Sequence, residues 1–265
     1  VGPGDPDVIR QALAYVRPGG TALLFSPTPP GVPTALERSL PGSVFAVVAT
    51  AGTTNAGAID ELSGIADICA ASGIWMHVDA AYGGAGLCAP CVRDRLAGIE
   101  RAQSLVVDPH KFLFAPYDCC ALLYADPSDA AGLFCQEAGY LEGAHKVKEW
   151  NPMDYAFHLT RRPRGLPFWF SLAAHGTDAY REAVEHVLAL TRDLADFIRR
   201  TPALSLAVEP ELSVLLIRRA KWRANDYEAW AEKLLVEQTA FVQPTEWQGQ
   251  TVMRLCLVNP ATHPD

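Results

Sequence analysis

Long apolar runs are missing from this chain. No stretch approaches the about 20 residues that a membrane-spanning helix needs, so no transmembrane helix is expected. Positive charge is also in short supply. Lys and Arg number 22 against 30 Asp and Glu, a net charge of −8. That balance argues against nucleic acid or an anionic membrane as the main partner, because a phosphate-binding surface needs clustered cations. The arginine-rich spots, Arg161-Arg162-Pro163-Arg164 and Arg218-Arg219, are short and read as solvated or ion-paired surface. The opening Val-Gly-Pro-Gly-Asp-Pro-Asp has none of the features of a signal peptide. The seven cysteines are odd in number and irregular in spacing. Cys88-Ala-Pro-Cys91 has metal or redox spacing but lacks a second pair or a nearby histidine, so no metal site is expected and the pair reads as structural. Reduced thiols in a cytoplasmic protein fit this usage best.

What is present has the texture of an ordinary globular protein. Of the 265 residues, 49% are hydrophobic and 20% charged, enough for one large or two modest domains. Residues 1–42 read poorly as a folded unit, with a helix expected at Pro6–Val16, a short strand at Thr21–Phe25 and a turn-rich Ser26–Pro33. From Ser43 the pattern sharpens. Apolar runs at Val44–Ala49, Ile74–Val78, Gln103–Val107 and Cys119–Tyr124 read as strands. A helix is expected over Ile59–Ser72, opened by Asp60 or an adjacent cap and closed by Gly73. Continuous rather than alternating apolar strands separated by helices predict an α/β fold with a mostly parallel sheet covered on both faces. Residues 127–165 look like a long excursion, and such loops are usually functional. A long helix follows at Phe168–Arg200, with Phe170, Ala174, Val184, Val187, Leu188, Leu194 and Ile198 on its apolar face. Strands at Leu204–Val208, Ser213–Ile217 and Thr251–Val258 and a helix at Tyr227–Gln238 make a smaller α+β domain. The expected division is thus 1–42 as an N-terminal segment or remnant, 43–200 as the large domain and 201–265 as the small one.

Ligands of parallel α/β sheets bind at the carboxyl ends of the strands. Three polar clusters fall there: Thr50-Ala-Gly-Thr-Thr54, Asp79-Ala-Ala-Tyr-Gly-Gly84 and Asp108-Pro-His-Lys111. Singly, each has a plainer reading as a turn, a helix cap or a surface lysine. Together they suit pyridoxal 5′-phosphate chemistry, which needs a lysine amine to hold the cofactor and a carboxylate to keep the pyridine nitrogen protonated. The chain has five lysines: Lys111, Lys146, Lys148, Lys221 and Lys233. Only Lys111 directly follows a strand of buried type, and a lysine among apolar groups is the more easily deprotonated for attack.

With its neighbours included, this set is Phe45 through Asp60, then His77-Val-Asp-Ala-Ala-Tyr-Gly-Gly84, then Asp108-Pro-His-Lys111. In order and spacing it resembles the group II pyridoxal-phosphate-dependent amino acid decarboxylases, from about Ser43 to Val258. The resemblance implies fold type I, a homodimer with active sites at the subunit interface, and decarboxylation of an L-amino acid to an amine and CO2. It implies Lys111 as the Schiff-base residue, with His110 before it. Asp79 would sit at the pyridine nitrogen, Ala81 against the ring face and Thr54 beside the cofactor. In the family a mobile loop carries a tyrosine that returns a proton after CO2 leaves. The matching position is Tyr155, just before Arg161-Arg162, with Tyr140 as a second candidate. The alternatives are another pyridoxal-phosphate reaction on the same frame (a lyase, transaminase or aldehyde-forming enzyme) and a truncated, non-catalytic scaffold.

Three departures accompany the resemblance. The family's N-terminal half supplies a Gly/Ser-rich phosphate turn and a histidine stacked on the ring. Residues 1–42 match neither, and no histidine precedes His77. The opening reads as pieces of a longer N-terminal region, either with segments missing from this sequence or in a truncated chain that would bind the cofactor poorly. Many relatives also have asparagine where this chain has Asp108, close to the phosphate, so Asp108 is not assigned to phosphate binding. The substrate is not legible. The aromatics Phe112, Phe114 and Tyr117 after the lysine read as core, and an aromatic or aliphatic substrate is favoured over an acidic one because no free cation stands near the motifs.

Overall fold

In the computed structural model the described residues are 21–24, 44–134, 151–156 and 158–263. The helix expected at Pro6–Val16, the turns of 26–33 and Tyr140 lie outside them. Five strands form the first sheet in chain order: β1 (Thr21–Leu24), β2 (Val44–Thr50), β3 (Trp75–Asp79), β4 (Ser104–Val107) and β5 (Ala121–Tyr124). The first four run parallel and β5 is antiparallel to β4, so the mostly parallel α/β sheet is as expected. Helix α1 (Leu62–Ser72) crosses from β2 to β3 and ends at Gly73 in the left-handed region, φ 64°. It starts at Leu62 rather than at Ile59, opened by the residue adjacent to Asp60. Glu61, not Asp60, caps it by accepting the Gly64 N–H at 2.7 Å, while Asp60 Oδ2 accepts the Thr50 N–H at 2.7 Å.

One face of the sheet is sealed. Val47, Ala49, Met76 and Val78 pack with Leu62, Ile65 and Cys69 of α1 in the main core. The other face is only half-buried, and Leu122 and Leu123 of the edge strand β5 are both exposed. Coverage of both faces is therefore incomplete among the described residues. Within the expected excursion stand a helix, α4 (Pro127–Phe134), and a 3₁₀ turn, Pro152–Tyr155. Short helical turns also fill 83–101, including α2 (Pro90–Arg93), and α3 (Pro109–Phe112) carries the candidate lysine.

The long helix α5 (Gly165–Arg200) is two helices in one, broken at Gly176 with φ 77° and ψ 164°. After the break, Tyr180, Val184, Val187, Leu188, Thr191, Ala195 and Ile198 are buried at the three-and-four spacing of an amphipathic helix. Before it, Phe170 and Ala174 are exposed, so the expected apolar face holds for the second part alone.

The second sheet is antiparallel, in the order β6 (Leu204–Leu206), β7 (Val214–Arg219), β9 (Gln250–Cys256), β8 (Gln243–Trp247), with α6 (Ala224–Val236) against β8 and β9. Alternation along β7 divides its side chains as a strand must. Leu215 and Ile217 join Ala195, Ile198 and Tyr227, whereas Val214 and Leu216 join Ala56, Ala58 and Val252. The loop after β2 is thereby packed into the second sheet.

Candidate active site

Thr50, Asp79 and Val106 lie side by side across β2, β3 and β4. The loops leaving the carboxyl ends of these three strands therefore emerge together, and all three sequence clusters sit on them. Register is set by the apolar runs, since a one-residue slip would turn Val47, Ala49, Met76 and Val78 out of the core.

The loop after β2 is stiff. Asp60 N–H donates to Thr50 O at 2.9 Å, Gly52 and Thr53 N–H both donate to Ala58 O, and Thr53 Oγ1 accepts the Ala58 N–H at 3.2 Å. Asp60 is 6% exposed, and burial pushes its carboxyl up to about 6 against the pull of the Thr50 amide, with Glu211's charge adding to the rise. The loop is also held from outside. Arg254 on β9 donates from Nη2 to Thr54 O at 2.7 Å and from Nε to Asn55 O at 3.3 Å, and Asn55 Nδ2 donates to Glu246 O at 2.9 Å. Arg254 is a site-shaping residue that sequence reading missed, because nothing local to β9 announces a partner on a loop this distant.

Asp79 ends β3, and its Oδ1 accepts the Ala81 N–H at 3.1 Å, which fixes the carboxylate's orientation. His77, two residues earlier, shares a face with it. Burial lowers the His77 pKa, and Asp79's charge opposes that fall. Ser104 Oγ on β4 lies 2.7 Å from His77 Nδ1 and accepts the Trp75 Nε1–H at 2.9 Å. The turn Gly83-Gly84 needs both glycines. A Cβ on Gly83 would collide with Ala51 O, and one on Gly84 would come within 2.7 Å of Val107 Cγ2.

The third loop is tied to the second by the Asp108 N–H, which donates to Ala81 O at 3.0 Å. Lys111 Nζ lies 2.9 Å from Asp108 Oδ2, with 42% of the lysine side chain exposed. His110 Nδ1 is clamped to the Cys119 backbone, 2.6 Å from its carbonyl and 3.1 Å from its amide, and Tyr117 stands edge-on to the ring with centroids 4.7 Å apart. Phe112 is fully buried, as expected, but Tyr117 is a surface residue at 88% exposure, because its place is against His110 rather than in the core.

The structure thus brings Thr54, Asp79, Ala81, His110 and Lys111 onto three adjoining loops. Tyr155 closes the turn Pro152–Tyr155, which Asn151 Oδ1 caps by accepting the Met153 N–H at 3.2 Å, and which Arg161 grips through the Pro152 carbonyl. That turn packs on α4. Cys88 and Cys91 are free thiols in the helical stretch beyond Gly84, with Arg192 Nη1 3.7 Å from Cys91 Sγ.

Residues 35–219 match the model of the pyridoxal-dependent decarboxylase conserved domain. The chain belongs to the pyridoxal-dependent decarboxylase family. It is 31% identical over 235 residues to an aromatic-L-amino-acid decarboxylase of Bacillus atrophaeus, a match covering 85% of this chain and 49% of the relative. It is 39% identical over 228 residues to an L-2,4-diaminobutyrate decarboxylase of Rhizobium meliloti, covering 83% and 46%. Among solved structures, the Oryza sativa TDC with PLP and tryptamine superposes with a TM-score of 0.78 at 26% identity, over 86% of this chain and 50% of that one. This decarboxylase-family chain therefore spans about half the length of the curated relatives it matches. Its fold is that of the family's fold type I enzymes, and the family's cofactor is pyridoxal 5′-phosphate. The donor set fits that group, with a half-exposed lysine amine and an oriented carboxylate at the ends of neighbouring parallel strands, joined through the Asp108–Ala81 bond.

Proposed function

We propose that this chain carries the lysine-bearing part of an amino acid decarboxylase, which converts an L-amino acid to the corresponding amine and CO2. The observation that carries the reading is the placement of Asp79 at the paired end of β3 and of Lys111 just beyond the neighbouring end of β4. Bound there, pyridoxal phosphate supplies the sink for the electron pair left when a bond at the substrate's Cα breaks. Lys111 would hold the group covalently through Nζ. Asp79, its orientation set by the Ala81 N–H, would keep the ring-nitrogen proton in place. Ala81 and Thr54 would line the ring and its edge. His110, clamped by Cys119, would fix the segment that presents the lysine. Tyr155, on a capped and gripped turn, would return a proton to the substrate carbon.

A homodimer and a cytoplasmic location belong to the same reading. Trp169 and Phe170, 59% and 60% exposed on the first part of α5, offer apolar surface of the kind a second subunit covers. The six described cysteines are free, as suits a reducing compartment. No described helix is long and apolar enough to cross a membrane. A large domain at 43–200 and a small one at 201–265 belong to the same reading; the antiparallel sheet, drawn wholly from 204–256, supports the second, whereas β1 (Thr21–Leu24) joins the first sheet from before residue 43.

The test is borohydride reduction of the protein with pyridoxal phosphate, followed by peptide mass mapping. A pyridoxyl adduct on Lys111, absent in Lys111→Ala, is expected, followed by CO2 release when amino acids are supplied to the full-length protein. An adduct confined to other lysines would sink the assignment of Lys111. Adduct formation without CO2 release from any amino acid would sink decarboxylation.

A further inference from the structure

Asp108 stands at the N-cap of α3, where an aspartate ordinarily gives a side-chain oxygen to a backbone N–H of the first helical turn. Here the side chain makes no such bond. Its Oδ2 instead lies 2.9 Å from Lys111 Nζ, and the Cys120 thiol donates to the same carboxylate. His110 Nε2 is 3.9 Å away. The backbone is held on both sides, since Asp108 N–H donates to Ala81 O at 3.0 Å and Asp108 O accepts the Lys111 N–H at 2.9 Å. Burial by itself would lift this carboxyl. The hydrogen bonds from Lys111 and Cys120 and the charges of Lys111 and His110 outweigh it and hold the group below the usual carboxylate range. Asp108 is therefore an anion with its position fixed and a cation as its partner.

We propose that Asp108 is a positioning residue that works against cofactor loading, by holding the Lys111 amine as a paired ammonium that must be released before it can bond. The proposal rests on the reading of Lys111 as the cofactor lysine. An ammonium has no lone pair, so Nζ must give up a proton before it can attack an aldehyde carbon. The condensation then forms one carbon–nitrogen double bond, breaks the carbonyl bond and releases one water. The ammonium proton passes to Asp108 or to solvent, and either way the pair is lost. Asparagine at this position keeps the shape and can still accept from Cys120, but it removes the charge. Charge-assisted hydrogen bonds exceed neutral ones, and the lysine's exposure trims the difference, so a gain of roughly three- to tenfold in cofactor retention is expected on removing it.

The experiment titrates pyridoxal phosphate into wild type, Asp108→Asn, Asp108→Ser and Cys120→Ala, with borohydride trapping at Lys111 and circular dichroism to confirm folding. Tighter retention by the two Asp108 variants, with Cys120→Ala no tighter than wild type, supports the proposal. Equal or weaker retention in a folded Asp108 variant overturns it. So does an equal gain in Cys120→Ala, which would trace the effect to loosened packing. Trapping at Lys111 in none of the proteins would overturn the cofactor reading and this proposal with it, a result distinct from trapping without a gain. N-ethylmaleimide reads the same carboxylate with no cofactor present. Cys120 should alkylate faster in Asp108→Asn, and an unchanged rate would overturn the Asp108–Cys120 arrangement.

Discussion

The Tyr82 ring stacks on Phe112, with centroids 5.4 Å apart and planes 13° from parallel, while its hydroxyl meets Ser213 at the head of β7. One side chain of the site's second loop thus touches both the helix bearing Lys111 and the second sheet. Phe112 is fully buried. Phe112→Ala should cost about 3–5 kcal/mol in urea unfolding. It should also lower cofactor trapping on the adjacent Lys111, whereas Phe112→Leu should be milder in both respects. Equal trapping in wild type and Phe112→Ala would separate the stack from the lysine.

Tyr82→Phe keeps the stack and strips one partner from Ser213, which has no solvent exposure. Leaving that hydroxyl unsatisfied should destabilise by about 1–2 kcal/mol. Ser213→Ala in the Tyr82→Phe background should cost little more. A double-mutant cycle with no coupling between the two would remove the hydrogen bond from the account.

Asp60 supplies a dependence on pH. Its folded carboxyl, pushed by burial up to about 6 from the ordinary aspartate value of about 3.9, binds its proton more tightly than the unfolded chain does. The stabilisation it contributes is therefore complete below about pH 4 and is lost as pH rises through 6, a difference of roughly 3 kcal/mol at most. Asp60→Asn should flatten this part of the stability curve and raise the melting temperature at pH 7.5 relative to wild type. A variant no more stable than wild type at pH 7.5 would contradict the shift.

A glycine of the site and a glycine of a helix cap are not equivalent. Gly83→Ala drives a Cβ into the Ala51 carbonyl, between two backbones that cannot yield separately, and should cost several kcal/mol or prevent folding. Gly73→Ala meets open space and suffers only its left-handed φ of 64°, so a loss of about 1 kcal/mol is expected. Thermal melts of the two variants would rank them.

The parts of this protein that follow one local rule were legible in its sequence. Val44–Thr50 and Trp75–Asp79 stand out because buried parallel strands need uninterrupted apolar residues, and the polar residues that interrupt them mark the ligand end of the sheet. The rest depended on partners far along the chain. Strand β8, with Gln243, Pro244, Thr245 and Glu246, carries no strand pattern. It exists because Gln248 and Gly249, at φ 51° and 74°, fold it back onto β9 in a two-residue turn, and that Gln-Gly pair was the available signal. The break at Gly176 was likewise visible only as a glycine within an otherwise helical run. Of the two cap readings, the adjacent Glu61 holds and Asp60 does not, because the Asp60 carboxylate answers an amide on the preceding strand, a choice no window of helix residues contains.

Arg254 and Thr54 are 200 positions apart, yet one hydrogen bond joins them. A ribosome releases the β2 loop long before it releases β9, so for most of synthesis that loop has its internal bonds and no clamp. Closing so long a span is entropically slow, and it follows that the corner of the site beside Thr54 matures late, after the sheet that carries it. Pulse-labelled hydrogen exchange during refolding should show the Val47 and Val78 amides protected earlier than those of Gly52 and Thr53. Simultaneous protection would mean that the loop is complete without its distant arginine.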